Sequence, residues 1–179
     1  MQKMLRFITI ALCWFSLGAQ QCPLIVGIVG SDASDRSVLV QKIAKILQKQ
    51  TVLVMQESWY QNVNSMVDTA TMVAHLNWLE RGGCVTHRPS CVQEQNQIWL
   101  APARIILIEF STVHNRDVLL KKCNLIFYLC EDDPSEIVYA FGQRTIVLER
   151  HCIERNLRIM YDGIHYELAT NTCIRRSKL

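Results

Sequence analysis

Residues Gly30 to Ser37, Gly-Ser-Asp-Ala-Ser-Asp-Arg-Ser, are spaced like a phosphate-binding loop. Such a loop reads Gly, four residues, Gly-Lys, then Ser or Thr, between a strand and a helix. Here Asp35 stands at the second glycine and Arg36 at the lysine. Backbone N–H groups and a helix N-terminus would cradle the phosphate. The candidate nucleotide-binding residues are therefore Gly30, Ser31, Ser34, Asp35, Arg36 and Ser37. Arg36 keeps a positive charge, in a planar fork instead of a compact ammonium. Ser37 keeps a hydroxyl for Mg2+. Asp32 and Asp35 bring negative charge to the place where a phosphate would sit. The plain alternative is a strand–loop–helix turn with Ser34 or Asp35 as the helix cap.

Further polar residues follow other apolar runs. Glu57 follows Thr51–Met55, Glu109 ends Arg104–Glu109, and Glu131-Asp132-Asp133 follows Leu125–Leu129. Acidic groups at several strand ends suit a phosphorylated ligand with a metal ion, because such ligands gather at the carboxyl ends of parallel strands. Each one alone reads equally well as a solvated loop residue.

The elements that must position them are legible as apolar runs. Pro23–Val29, Thr51–Met55, Arg104–Glu109 and Leu125–Leu129 read as buried parallel strands. Leu157–Tyr161, followed by Asp162-Gly163, reads as a fifth strand and turn. Residues 36–49 form an amphipathic helix with Leu39, Ile43, Ile46 and Leu47 on its stripe. Residues 66–81 form another, with Met72, Leu76 and Leu79 inward and Gly82-Gly83 as its stop. Asn115–Lys122 is a short helix, and Pro134-Ser135 opens one through Gln143. Cys84–Gln97 reads as an exposed loop or a short hairpin. Alternating strands and helices imply an α/β fold with a parallel sheet covered on both faces.

Bulk properties agree with one folded domain. The chain has 179 residues, half of them hydrophobic and a fifth charged. A net charge of +3 is too small to imply nucleic acid as a partner. Eight cysteines show no Cys-x-x-Cys spacing, which argues against zinc and for reduced thiols. Cys123 and Cys130 flank an apolar strand, a usual place for buried structural thiols.

In order and spacing these motifs resemble the uridine kinase and nicotinamide riboside kinase family of P-loop nucleoside kinases, over residues 23–168. The resemblance rests on Ile25–Ser37, on Gln56-Glu57-Ser58-Trp59-Tyr60, on His75–Gly82 with its Trp78, and on Pro102–Glu109. Met160-Tyr161-Asp162-Gly163 adds to it. It implies a three-layer P-loop NTPase fold with about five parallel strands, binding ATP and Mg2+. It implies 5′-phosphorylation of a ribonucleoside, either nicotinamide riboside, which belongs to NAD biosynthesis, or uridine.

The family's roles then fall on particular positions. Glu57 would take the substrate hydroxyl's proton, Arg36 would hold the β/γ-phosphates, and Arg144 would be the first lid arginine, with Arg150 and Arg155 as substitutes. Ser37 and Glu109 would hold Mg2+. Tyr60 and Asp68 would face the nucleoside, with Ser65 competing for the ribose. Asp35, Arg36, Phe110 in place of a glycine, and a short segment between Gln143 and Leu157 depart from the pattern. They leave two outcomes, an active kinase or a catalytically inactive relative acting as a nucleotide-binding or interaction protein.

Two addresses flank the domain, taken as residues 23–170. Residues 1–22 carry Lys3 and Arg6 ahead of the apolar run Phe7–Leu17, which resembles a secretory signal and is too short for a stable membrane span. The tail 171–179 ends in Ser177-Lys178-Leu179, the peroxisomal address, read by an import receptor. The expected location is peroxisomal or cytoplasmic, or secreted if the first segment is used.

Overall fold

The computed structural model describes residues 22–30, 32–48, 51–62, 66–89, 97–111, 117–130, 145–150 and 152–176, with side chains described to residue 170. Ser31, Ser65, Arg144, Glu131-Asp132-Asp133 and the helix expected from Pro134 lie outside these residues, as do both terminal addresses.

Five strands form one parallel sheet: β1 (Leu24–Gly30), β2 (Val52–Gln56), β5 (Ile105–Ser111), β6 (Leu125–Cys130) and β7 (Thr145–Glu149). Their order across the sheet is β2-β5-β1-β6-β7. The central strands β1, β5 and β6 are almost wholly apolar because both of their faces are covered. Leu24, Val26 and Ile28 point to one layer, packed with Leu39 and Ile43 of α1 (Ala33–Ile46) and Met160 and Ile164 of α4 (Ile153–Arg176). Ile25 and Val29 point to the other, packed with Met72 and Leu76 of α2 (Thr69–Glu80) and Leu119 of α3 (Asp117–Lys122). Among the described residues no helix is long and apolar enough to cross a membrane.

Glycine 82 ends α2 as the sequence suggests. It lies at φ 80°, and the Gly82 and Gly83 N–H groups donate to the Leu79 and Trp78 carbonyls. The polar stretch after it carries a small antiparallel pair, β3 (Val85–His87) with β4 (Ile98–Leu100). Ile46, expected on the buried stripe of α1, is 47% exposed; Val40 takes its place inside.

The fifth strand differs from expectation. Leu157–Tyr161 is not a strand, and Asp162-Gly163 is not a turn; both lie inside α4, a helix of 24 residues. Leu157, Met160 and Ile164 recur at helical spacing and pack against the sheet. The fifth strand is β7, paired parallel to β6 from Ile126↔Thr145 to Cys130↔Glu149. It sits at the sheet edge with most of its residues half-buried, so its apolar signal is weaker than that of the central strands.

Candidate functional site

The carboxyl ends of β1, β2 and β5 bring the predicted residues together. In the register Gly30 lies beside Ser111, and Gln56 beside Glu109. Parallel strands carry all these side chains to one edge of the sheet, where α1 begins.

Four polar groups meet there. The Ser37 hydroxyl donates to Glu109 Oε1 at 2.7 Å. Gln56 Nε2 donates to Glu109 Oε2 at 3.4 Å. Arg36 Nε lies 3.9 Å from Glu109 Oε1, and its guanidinium donates to the Gly30 carbonyl. Arg36 and Glu109 are 3% and 5% exposed, so this is a buried ion pair beneath the loop. Glu57 opens the short 3-10 turn Glu57–Tyr60 and is 7% exposed. Its Oε2 accepts the Ser111 N–H at 2.6 Å.

The loop itself is shorter than the motif suggests. Helix α1 starts at Ala33, with Asp32 as its cap. Neither Ser34 nor Asp35 is the cap. With Asp in place of the second glycine, residues 33–35 continue the helix toward its N-terminus and leave only two residues between Gly30 and Ala33. Asp32 Oδ1 accepts the Ser34 N–H at 2.8 Å, the Ser34 hydroxyl at 2.6 Å and the Asp35 N–H at 3.4 Å. Asp32 Oδ2 accepts from Arg150, whose Nε also donates to Asp35 Oδ2 at 2.7 Å. Hydrogen bonds from Ser34, then from Asp35, together with the nearby Arg150 charge, hold the Asp32 carboxyl below its ordinary range. The N–H groups that would cradle a phosphate thus converge on an anion supplied by the chain.

Packing at Gly30 is tight. A Cβ on it would lie 3.0 Å from Leu129 Cβ and 3.1 Å from the Leu129 carbonyl oxygen. A larger residue would push β1 away from β6.

Tyr60 and Asp68 are both engaged within the chain. Tyr60 is 3% exposed, its ring stacked on His87 with centroids 4.3 Å apart. Its hydroxyl lies 3.0 Å from His75 Nδ1, and burial pushes the phenol above its usual range. His87 Nε2–H donates to the Trp59 carbonyl at 2.7 Å. This cluster holds the turn that carries Glu57 against α2 and β3. Asp68 caps α2, accepting the Thr71 N–H at 2.9 Å and the Thr71 hydroxyl at 2.6 Å. Arg155 pairs with Glu149 at 2.9 Å on the exposed surface.

His75 gives the cluster a pH dependence. Burial first, then the neighbouring His87, holds His75 below the ordinary value of 6.5, against the pull of Asp68. The unfolded chain therefore binds more protons near that pH than the folded one. The stabilisation is complete above about pH 6.5 and declines as pH falls through that value. The urea midpoint is expected to be lower at pH 5.5 than at pH 7.5, and His75→Gln is expected to flatten the difference. An unchanged pH dependence in that variant refutes the assignment.

Mg2+ fits the hard oxygens of Ser37 and Glu109, which would act with phosphate oxygens and water. Among the described residues no three of His, Cys, Asp and Glu gather to hold a metal by themselves. Arg36 already balances the Glu109 charge.

The strand order and the helices on both faces define a three-layer α/β fold around a parallel sheet, with α1 following β1 as in the expected P-loop arrangement. The structure described as a possible uridine kinase from Bacillus stearothermophilus is similar at 18% identity and a TM-score of 0.47, covering 97% of this chain and 96% of that one. Molybdopterin-guanine biosynthesis protein B, mobB, is similar at 14% identity and a TM-score of 0.41, covering 79% and 99%. No protein-family model and no curated protein matches the sequence.

Proposed function

We propose that this chain is a kinase-like nucleotide-binding protein whose loop at Gly30–Ser37 receives the phosphates of a nucleotide such as ATP. One observation carries the reading: the Ser34 and Asp35 N–H groups converge on a single anionic oxygen at the carboxyl end of β1. Ser37 and Glu109 lie behind them as the pair that would hold Mg2+.

Phosphoryl transfer is the lesser part of this reading. The reaction would pass the γ-phosphoryl group to the 5′-hydroxyl of a ribonucleoside of the nicotinamide riboside or uridine type. The hydroxyl proton would go to Glu57 as the new O–P bond forms and the bond to the leaving nucleoside diphosphate breaks. Each protein group named for that step is engaged inside the chain. Glu57 holds the Ser111 N–H, and Arg36 holds the Gly30 carbonyl beside Glu109. Transfer depends on positioning and charge neutralisation, so binding with little turnover is what these contacts favour.

Calorimetric titration with Mg·ATP tests the reading. Binding is expected in the natural chain and tighter binding in Arg36→Lys with Asp35→Gly; no heat in either form defeats it. A coupled assay with both nucleosides tests the rest. Turnover that Glu57→Gln abolishes would establish an active kinase.

A further inference from the structure

We propose that Tyr60, His75 and His87 form a proton-operated clasp on Glu57: a proton taken up by His75 reverses its hydrogen bond with Tyr60, and the turn that carries Glu57 then slackens its hold on Ser111. The inference concerns where Glu57 sits, and it stands whether or not a nucleotide binds.

The clasp ties α2 and β3 to one turn. Glu57–Tyr60 is a 3-10 turn of four residues, with Glu57 at one end and Tyr60 at the other. Glu57 Oε2 accepts the Ser111 N–H at 2.6 Å. Tyr60 is fixed by His75 of α2, whose Nδ1 lies 3.0 Å from its hydroxyl. The Asp68 N–H also donates to the Tyr60 carbonyl at 2.7 Å. From β3, His87 stacks on the Tyr60 ring at 4.3 Å and donates to the Trp59 carbonyl. The His75 and His87 rings meet edge-on at 5.3 Å, so the three rings form one contact set around the turn.

The direction of the Tyr60–His75 bond depends on charge. A buried hydroxyl needs an acceptor. Tyr60 is 3% exposed, and neutral His75 offers the Nδ1 lone pair to its O–H. With a proton on both nitrogens, His75 is a donor only. The Tyr60 oxygen must then accept, and the phenol proton loses this acceptor. The new positive charge also faces His87 of β3, while Asp68 at the head of α2 attracts it. On α3, the other element against α2, Lys122 pairs with Glu80 at 2.9 Å. The proton has a way in, because His75 borders a shallow cavity of about 430 Å3 with Trp78, Cys84 and Thr86. Histidine changes charge near neutral pH. Burial and then His87 move that change for His75 below its ordinary 6.5.

The test is amide exchange of the full chain, followed by NMR from pH 7.5 to pH 5.0. Each rate is corrected for the pH dependence of exchange in an unstructured peptide. Ser111 reads the grip of Glu57, and Ile28, wholly buried in β1, reads opening of the whole sheet. Protection of Ser111 is expected to fall about fivefold more than that of Ile28, the size of one ordinary hydrogen bond. His75→Gln stays neutral and is expected to remove that difference. Tyr60→Phe keeps the stack on His87 and has no hydroxyl to strand; it carries the same expectation should the first variant fold poorly. Equal losses at Ser111 and Ile28 in the natural chain overturn the clasp and leave only a general loss of stability. A Ser111 difference that persists in both variants overturns it as well, because the sensing group then lies elsewhere.

Discussion

Arg36→Met is expected to lower the free energy of unfolding by about 3–5 kcal/mol, because it strands a buried carboxylate. Glu109 is 5% exposed, and among the described residues Ser37 and Gln56 would remain to donate to it. Adding Glu109→Gln is expected to restore most of that loss, since a neutral amide still accepts from Ser37. Two ions removed together from a protein interior often cost little. Urea unfolding of both single variants and the double variant measures this as a coupling energy. Losses that simply add would mean that Arg36 and Glu109 do not depend on one another. The same pair explains why Arg36 is poorly placed to neutralise phosphate: moving it toward a ligand would leave Glu109 uncompensated.

The second large effect lies under the last helix. Phe127→Ala is expected to cost about 3–5 kcal/mol, as for a fully buried benzyl side chain cut back to a methyl. Phe127 is wholly buried in β6 among Leu148, Met160 and Ile164. A Cβ on Gly163 would lie only 3.2 Å from the Phe127 ring, so the ring and the helix backbone are in close contact. The loss should fall mainly on the docking of α4. Hydrogen exchange of the amides of α4 should therefore speed up more than exchange in β1. Uniform loss of protection, or a cost below about 1 kcal/mol, would show that Phe127 does not anchor α4.

That anchoring also explains where the sequence misled. Central strands reveal themselves because both of their faces need apolar residues; Ile105–Ile108 and Leu125–Phe127 read as strands for that reason. Leu157–Tyr161 is apolar at four of its five residues, and a run of five residues does not separate strand from helix. Its continuation to Ile164 carries the helical spacing. Thr145–Glu149 is the strand at the sheet edge, and its apolar run is only Ile146-Val147-Leu148 between two polar residues.

The site divides in the same way. Glu57 and Glu109 were legible in position because they follow or close apolar runs that fold as strands, and Ser37 because it lies early in the helix that follows β1. The Asp32–Arg150 contact was not, since two residues 118 apart meet only through the order of strands across the sheet. The helix start at Ala33 had a visible signal, an aspartate followed by Ala-Ser-Asp, but the phosphate-loop spacing pointed to a later start. For Tyr60 and Asp68 the resemblance implies a nucleoside; the structure shows Tyr60 buried and Asp68 capping α2, work that no pattern in the sequence had pointed to.

The close approach of Gly30 to Leu129 bears on how a motif is counted. The residue at position 30 answers to the neighbouring strand before it answers to any ligand. A chain that had ceased to bind phosphate would still be held to glycine there by the width of the gap between β1 and β6. The first glycine of the pattern is thus a record of sheet geometry, and the chemical history of this loop is written in positions 32, 35 and 36.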